Sequence, residues 1–250
     1  MVCVRCLRLA AAMLIGVSCL SSYPVCAEKT AEEYFNDATR AYSLGNFDQA
    51  IADYNKLVEI DPEASGPYGA RGLAYDAQGD FISAIDDFTR AIGLEPTKAD
   101  FYFYRGRSYY KQHNFSKAIP DFDKAIEIDP QFAQAYAYRG KAYTAQCDFT
   151  QNIADYDKVI ELDPKSAGSY AARGLAYYKK GDIAQAIVDY SKAIDVDCKL
   201  PKVYYYRALA YYQLKKYDAA WADVNKEQDS GGKVDPEFME NLKKASGRGK

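Results

Sequence analysis

A step of 34 residues runs through this chain and decides what it can fold into. Pro62, Pro96, Pro130 and Pro164 stand 34 apart, each preceded by an acid: Asp61, Glu95, Asp129 and Asp163. Tyrosine keeps the step at Tyr34, Tyr68, Tyr102, Tyr136, Tyr170 and Tyr204, and aspartate at Asp53, Asp87, Asp121, Asp155, Asp189 and Asp223. Five units carry an arginine in phase, Arg71, Arg105, Arg139, Arg173 and Arg207, each followed by Gly or Ala. Self-similarity at such a period marks a stack of small supersecondary units that bury their apolar faces against one another. Six tandem units fill 28–232, over 31–64, 65–98, 99–132, 133–166, 167–200 and 201–232.

Each unit reads as two helices. In the second, Tyr68, Gly72 and Tyr75 fall at i, i+4 and i+7, one stripe of a helix. Gly79-Asp80 then interrupts the chain, Ala84, Phe88 and Ala91 form a second stripe, and Pro96 forbids further helix. Small Gly72 and Ala84 would let the two helices approach closely. Beyond the sixth unit, Asp235-Pro236 offers a cap and a first-turn proline, and Phe238, Met239 and Leu242 an apolar face. Residues 235–245 are therefore expected to form a helix that covers the last unit, within a terminal segment 233–250 of capping helix and tail.

The 34-residue step, the Tyr…Gly…Tyr and Ala…Phe/Tyr…Ala stripes and the closing proline resemble the tetratricopeptide repeat (TPR) family. The resemblance covers most of the chain. It implies an all-α, right-handed α-solenoid whose concave face is lined by the first helix of each unit. Some residues depart from the pattern. Cys198 stands where a proline is expected, Asn152 where Ala84 sits in unit two, and His113 and Cys147 where Gly79 and Gly181 make turns. Pro120 falls inside a second helix, where a kink or a late start is expected.

The first 27 residues are of another kind. Arg5 and Arg8 precede an apolar run from Leu9 to Leu20, and Val25-Cys26-Ala27 ends the segment with small residues at the positions a signal peptidase reads. The run is too short to span a bilayer comfortably. Cleavage after Ala27 and export, to the periplasm or the medium, are expected; an uncleaved anchor and a lipid-modified Cys19 are the alternatives. Removal of the segment would leave Cys147 and Cys198, at opposite ends of helices about 20 Å long. A disulfide needs Cα atoms within about 7 Å, so two free thiols are expected.

Composition bears on chemistry. The single histidine, His113, removes most metal sites and most imidazole-based catalysis. No Gly-rich phosphate loop, Cys/His metal spacing or Gly-x-Ser-x-Gly occurs, and carboxylate pairs such as Asp86-Asp87 sit on repeat helices. A formal net charge of −3 gives no basic surface for nucleic-acid phosphates. No catalytic residue, metal or cofactor is expected. Asn114-Phe115-Ser116 fits a glycosylation acceptor, a short pattern common by chance.

The phased arginines and aspartates suggest a structural ladder, because a guanidinium fork suits a carboxylate. Unit one has Asp37 in place of the arginine and has no unit before it. That asymmetry predicts pairing between units: Asp53 with Arg71, Asp87 with Arg105, Asp121 with Arg139, Asp155 with Arg173 and Asp189 with Arg207.

Most tyrosines occupy the core stripes. Tyr42, Tyr104, Tyr110, Tyr138, Tyr178, Tyr205, Tyr206 and Tyr212 do not: they lie on first helices, roughly 80–200° from the core stripe. With Phe35 and Phe103 they are candidates to line a groove, although several could instead pack between neighbouring first helices. Arg107, Lys111 and Lys141 share that face and could hold a carboxylate; a solvated mixed-charge face, with Asp76 and Asp100 nearby, is the alternative. The slot where relatives that grip a C-terminal carboxylate need Asn holds Thr39, Leu73, Arg107, Lys141, Leu175 and Leu209, so that clamp is not expected. The reading is an exported, non-enzymatic scaffold that binds a peptide or protein segment. A structural subunit docking by its convex face or ends, and a glycan-binding module, are the alternatives. Oligomeric state is not legible.

Overall fold

The computed structural model describes residues 29–248, so the segment read as a signal peptide lies outside the described residues. Among those described there are thirteen helices and no strand. The first helices of the units are α1 (Ala31–Ser43), α3 (Ser65–Gln78), α5 (Ala99–Lys111), α7 (Ala133–Ala145), α9 (Ala167–Lys180) and α11 (Val203–Gln213). The second helices are α2 (Phe47–Ile60), α4 (Phe81–Leu94), α6 (Phe115–Ile128), α8 (Phe149–Leu162), α10 (Ile183–Val196) and α12 (Tyr217–Asp229), and α13 (Pro236–Ser246) follows. Each helix packs on the next in chain order, and first helices also meet, α3 with α5, α5 with α7 and α9 with α11. The body is an α-solenoid of six helix-turn-helix units with a C-terminal capping helix.

Small residues set the spacing within a unit. A Cβ added to Gly72 or Gly106 would lie 2.9 Å from the ring of Phe88 or Phe122, and one on Gly140 or Gly174 would lie 3.1 or 3.0 Å from Tyr156 or Tyr190. In units two to five the aromatic ring of the second helix therefore rests closely on a first-helix glycine, and in unit one Tyr54 faces Ala38. In unit six the exchange is mutual: Ala208 takes the glycine slot and Val224 the ring slot.

The turns repeat as closely as the helices. Asp80, Asn114, Asp148 and Asp182 cap their second helices by accepting from the backbone N–H three residues on, at 3.1–3.3 Å. Asn114 thus serves as a cap. The tyrosine stripe is anchored too, since Tyr68, Tyr102 and Tyr136 donate their hydroxyls to the carbonyls of Pro62, Pro96 and Pro130. α6 begins at Phe115 in step with its counterparts and continues through Pro120, which is exposed, so the expected late start does not occur. The proline removes one donor, that to the Ser116 carbonyl, and leaves the Asn114 cap intact.

One residue in every turn between paired helices is left-handed, always at the same phase: Gly45, Gly79, His113, Cys147, Gly181 and Lys215, with φ of +78°, +91°, +58°, +60°, +93° and +58°. Left-handed backbone costs a residue with a Cβ about 1–2 kcal/mol, whereas glycine there gives up roughly 0.5–1 kcal/mol of unfolded-state freedom. Cys147 is exposed and unpaired. Cys147→Gly is therefore expected to stabilise the protein by about 0.5–1 kcal/mol, read as a higher urea midpoint with an unchanged slope. A lower midpoint would mean that the thiol makes a contact worth more than the strain.

The capping helix keeps the repeat phase. Phe238 lies 34 residues after Tyr204 and Leu242 34 after Ala208, and both are buried, against Ala208, Ala220 and Val224. α13 thus holds the place of the first helix of a seventh unit, and among the described residues no second helix follows it.

Candidate functional site

The arginine ladder exists, but its partners differ from the expected ones. Each arginine pairs with the aspartate of its own unit: Arg71 with Asp87, Arg105 with Asp121, Arg139 with Asp155, Arg173 with Asp189 and Arg207 with Asp223, at 2.6–2.7 Å from Nη2. The contact is forked, with Nε donating to the same carboxylate. Nη1 reaches the preceding unit, where it meets Asn55, Thr89, Asp123, Asp157 or Ser191. A first helix lies wedged between two second helices, and the guanidinium is long enough to touch both. Asp53 is left without an arginine and accepts from Gln49 instead. Each guanidinium also lies over the tyrosine three residues earlier, 5.5–5.9 Å from the ring centre. These side chains are built into the wall and are not offered to a ligand.

Arg107 and Lys111 are also engaged. Buried Asp76, on α3, accepts from Arg107 Nη2 at 2.8 Å, from Lys111 Nζ at 2.7 Å and from Ser108 Oγ at 3.0 Å. Tyr42, Tyr110, Tyr178 and Tyr212 hold the phase of Asp76 in four other units and Thr144 in the fifth, so between α3 and α5 a polar knot replaces an aromatic contact. Two cations on one carboxylate leave a positive charge in excess. Lys141 lies 4.5 Å above the Tyr138 ring, and among the described residues no carboxylate pairs with it.

The inner aromatics form two runs. Tyr104 stacks on Phe88 at 5.8 Å and touches Phe103 at 5.3 Å; Phe103 meets Tyr138 edge-on at 5.5 Å, and Tyr138 meets Tyr110 at 5.7 Å. Toward the C-terminus, Tyr190 stacks on Tyr206, Tyr205 touches Tyr206 and Phe238, and Tyr212 meets Phe238. Tyr178 accepts from Gln213 at 2.7 Å, while Tyr42 packs on Phe47. All eight tyrosines are half-buried. Phe103 does not line the surface: it is 2% exposed, sealed by Phe122, Phe132, Ala135 and Tyr138. Phe35, 50% exposed, stands at the opening helix, away from both runs. Burial pushes the Tyr104, Tyr110, Tyr178 and Tyr205 hydroxyls above the ordinary tyrosine range, so they remain neutral donors at physiological pH. Among the described residues no group of three His, Cys, Asp or Glu is placed to hold a metal ion, and no helix is long and apolar enough to cross a membrane.

Comparison with known proteins agrees with this architecture. Models described as TPR repeat match residues 40–79, 148–181 and 174–215, and models described as tetratricopeptide repeat match 66–98 and 99–132. The chain belongs to the tetratricopeptide repeat family. Among solved TPR structures, the MamA protein is 27% identical over 68% of this chain and 92% of its own, with a TM-score of 0.63. YrrB, described as a TPR protein with an unusual peptide-binding site, is 24% identical over 67% of this chain and 87% of its own, at a TM-score of 0.58. A TPR protein from Parabacteroides merdae covers 86% of both chains at 18% identity and a TM-score of 0.70. No curated protein matches the sequence significantly. In this TPR chain the first helices therefore carry the polar knot at Asp76 and two aromatic runs, one of them beside Lys141.

Proposed function

We propose that the protein is an exported, non-enzymatic scaffold that holds an extended segment of a partner protein or peptide along the concave side of its first helices. The observation that carries this reading is the run Tyr104, Tyr138 and Tyr110, half-open over a sealed Phe103, with the unpaired ammonium of Lys141 above it. Rings already held by packing give large contact area at little entropic cost, and their neutral hydroxyls remain available to a main chain. Lys141 and the excess charge at Arg107 and Lys111 favour a segment with an acidic side chain beside apolar ones. The same fold carries a peptide-binding site in YrrB, so its geometry admits such use. Export rests on the N-terminal residues alone.

Peptides selected from a random display library on the immobilised protein provide the test. A Tyr104→Leu/Tyr110→Leu/Tyr138→Leu variant with unchanged helicity should lose at least about 30-fold in affinity, roughly 2 kcal/mol over three anchors. Undiminished affinity would move the site to the convex face or the ends. Binding of sugar polymers without any peptide would favour the glycan reading.

A further inference from the structure

The column of residues at the phase of Leu57 is apolar in five units, Leu57, Ala91, Ala125, Val159 and Ala193, and is Glu227 in the sixth. Glu227 is 3% exposed. Burying a carboxylate is costly unless it is paired; no hydrogen bond or ion pair reaches this one among the described residues, and its oxygens keep some contact with open space. Its backbone surroundings are fixed. α12 ends in a paired-glycine cap: Gly232 N–H donates to the Glu227 carbonyl at 2.8 Å and Gly231 N–H to that of Gln228 at 2.9 Å, with Gly231 left-handed. Such caps usually close with an apolar contact between the residues that here are Gly232 and Glu227. A Cβ on Gly232 would fall 2.1 Å from Glu227 Oε1, so a side chain there would displace the carboxylate from its present position.

That carboxylate floors a cavity of about 540 Å³, whose other lining includes Ser230, Gly231 and three lysines, Lys199, Lys202 and Lys233. The volume is within the usual range of small-molecule sites. Lys202 holds its place at φ +63°, a left-handed strain of the kind that accumulates at binding sites. The electrostatics ask for two charges at once. The negative end of α12 and Glu227 favour a cation at the floor, while three exposed ammonium groups favour an anion at the rim. A bare metal ion would meet lysines at the entrance, and a simple anion would meet Glu227 at the bottom.

From this juxtaposition we propose that the junction of unit six with α13 is a binding site for a small zwitterion, of which a free α-amino acid is the minimal form. Its ammonium pairs with Glu227 and its carboxylate with Lys202 and Lys233. The site is separate from the inner aromatic face and does not depend on what binds there.

Calorimetric titration of the full chain with glycine, L-alanine, L-lysine and L-glutamate, alongside ethylamine and acetate, tests this. Saturable binding of at least one amino acid is expected, at least tenfold tighter than ethylamine or acetate. It should weaken at least tenfold in Glu227→Gln and, separately, in Lys202→Ala/Lys233→Ala. Absence of saturable binding by all four amino acids, acetate binding as tightly as they do, or undiminished affinity in Glu227→Gln would each overturn the proposal. A ligand-free readout stands beside it. Glu227→Leu, which restores the apolar residue of unit one, should raise the melting temperature; a fall would show that the carboxylate already has a partner and would also overturn the proposal.

Discussion

Replacing Asp155 with leucine should cost about 3–5 kcal/mol, and adding Arg139→Met should recover most of that loss. Asp155 is buried and accepts from Arg139 Nε and Nη2, the closest contact being 2.6 Å. Removing the acid alone leaves a largely enclosed guanidinium with only half-exposed Asp123 on its outer edge. Removing both takes away a pair whose attraction and desolvation nearly balance. Burial pushes the Asp155 carboxyl above its ordinary range even with Arg139 against it. Burial also works against the Arg139 charge, and is outweighed by the bonds to Asp155 and Asp123. The ladder is therefore expected to contribute register more than net stability: its fork ties two helices of one unit while Nη1 reaches the preceding unit. Urea midpoints of the two singles and the double decide the matter. A double that stays as low as Asp155→Leu would show that the pair is net stabilising, and strictly additive losses would show that the two residues are not coupled. A charge swap adds a sharper control. Asp155→Arg/Arg139→Asp should recover part of the single-variant loss, whereas Asp121→Arg/Arg139→Asp should not, because Asp121 belongs to Arg105.

Much of this architecture can be read from the sequence because a 34-residue repeat states each physical requirement several times. The left-handed turn slot, the glycine facing a ring and the capping acid are legible once the units are aligned by phase. The ladder's residues were equally visible, but their partners were not. Arg139 lies 16 residues before Asp155 and 18 after Asp121, and either pairing leaves one aspartate over, so counting could not decide. The missed signal is the short polar column Asn55, Thr89, Asp123, Asp157 and Ser191, which takes the other edge of each guanidinium. Phe103 was misplaced for a related reason. A helical wheel reports direction, whereas burial depends on what the neighbouring unit brings, and here that is Ala135 and Tyr138. Asp76 was legible as a neighbour of Arg107 and Lys111, but not its burial, because it is an acid in a column otherwise rich in tyrosine. The same exercise applied to the Leu57 column exposes Glu227, so the residues that break a column are the ones that merit chemical scrutiny.

Phe122→Ala is expected to cost about 3–5 kcal/mol and, beyond that, to change how the stack unfolds. Phe122 has no solvent exposure and rests on Gly106, in close contact within its own unit. Its ring also lies 6.1 Å from Phe103 and 6.0 Å from Tyr138, so it joins unit three to unit four. Units in such a stack touch only their neighbours, and stability is the sum of unit and interface contributions. A hole in unit three weakens one unit and one interface together, leaving the flanking units nearly untouched. The single tryptophan makes this measurable. Trp221 lies on α12 and donates to Ser246 Oγ at 3.0 Å, so its fluorescence follows the C-terminal end. In the unaltered protein, fluorescence and far-ultraviolet ellipticity should share one urea midpoint. In Phe122→Ala the ellipticity should begin to fall at lower urea than the tryptophan signal, as the centre opens before the end. Phe238→Ala, which removes the buried anchor of α13, should reverse that order. Coincident curves in both variants, each merely shifted, would mean that the six units unfold as one body and that nearest-neighbour coupling is too strong for a central defect to divide them.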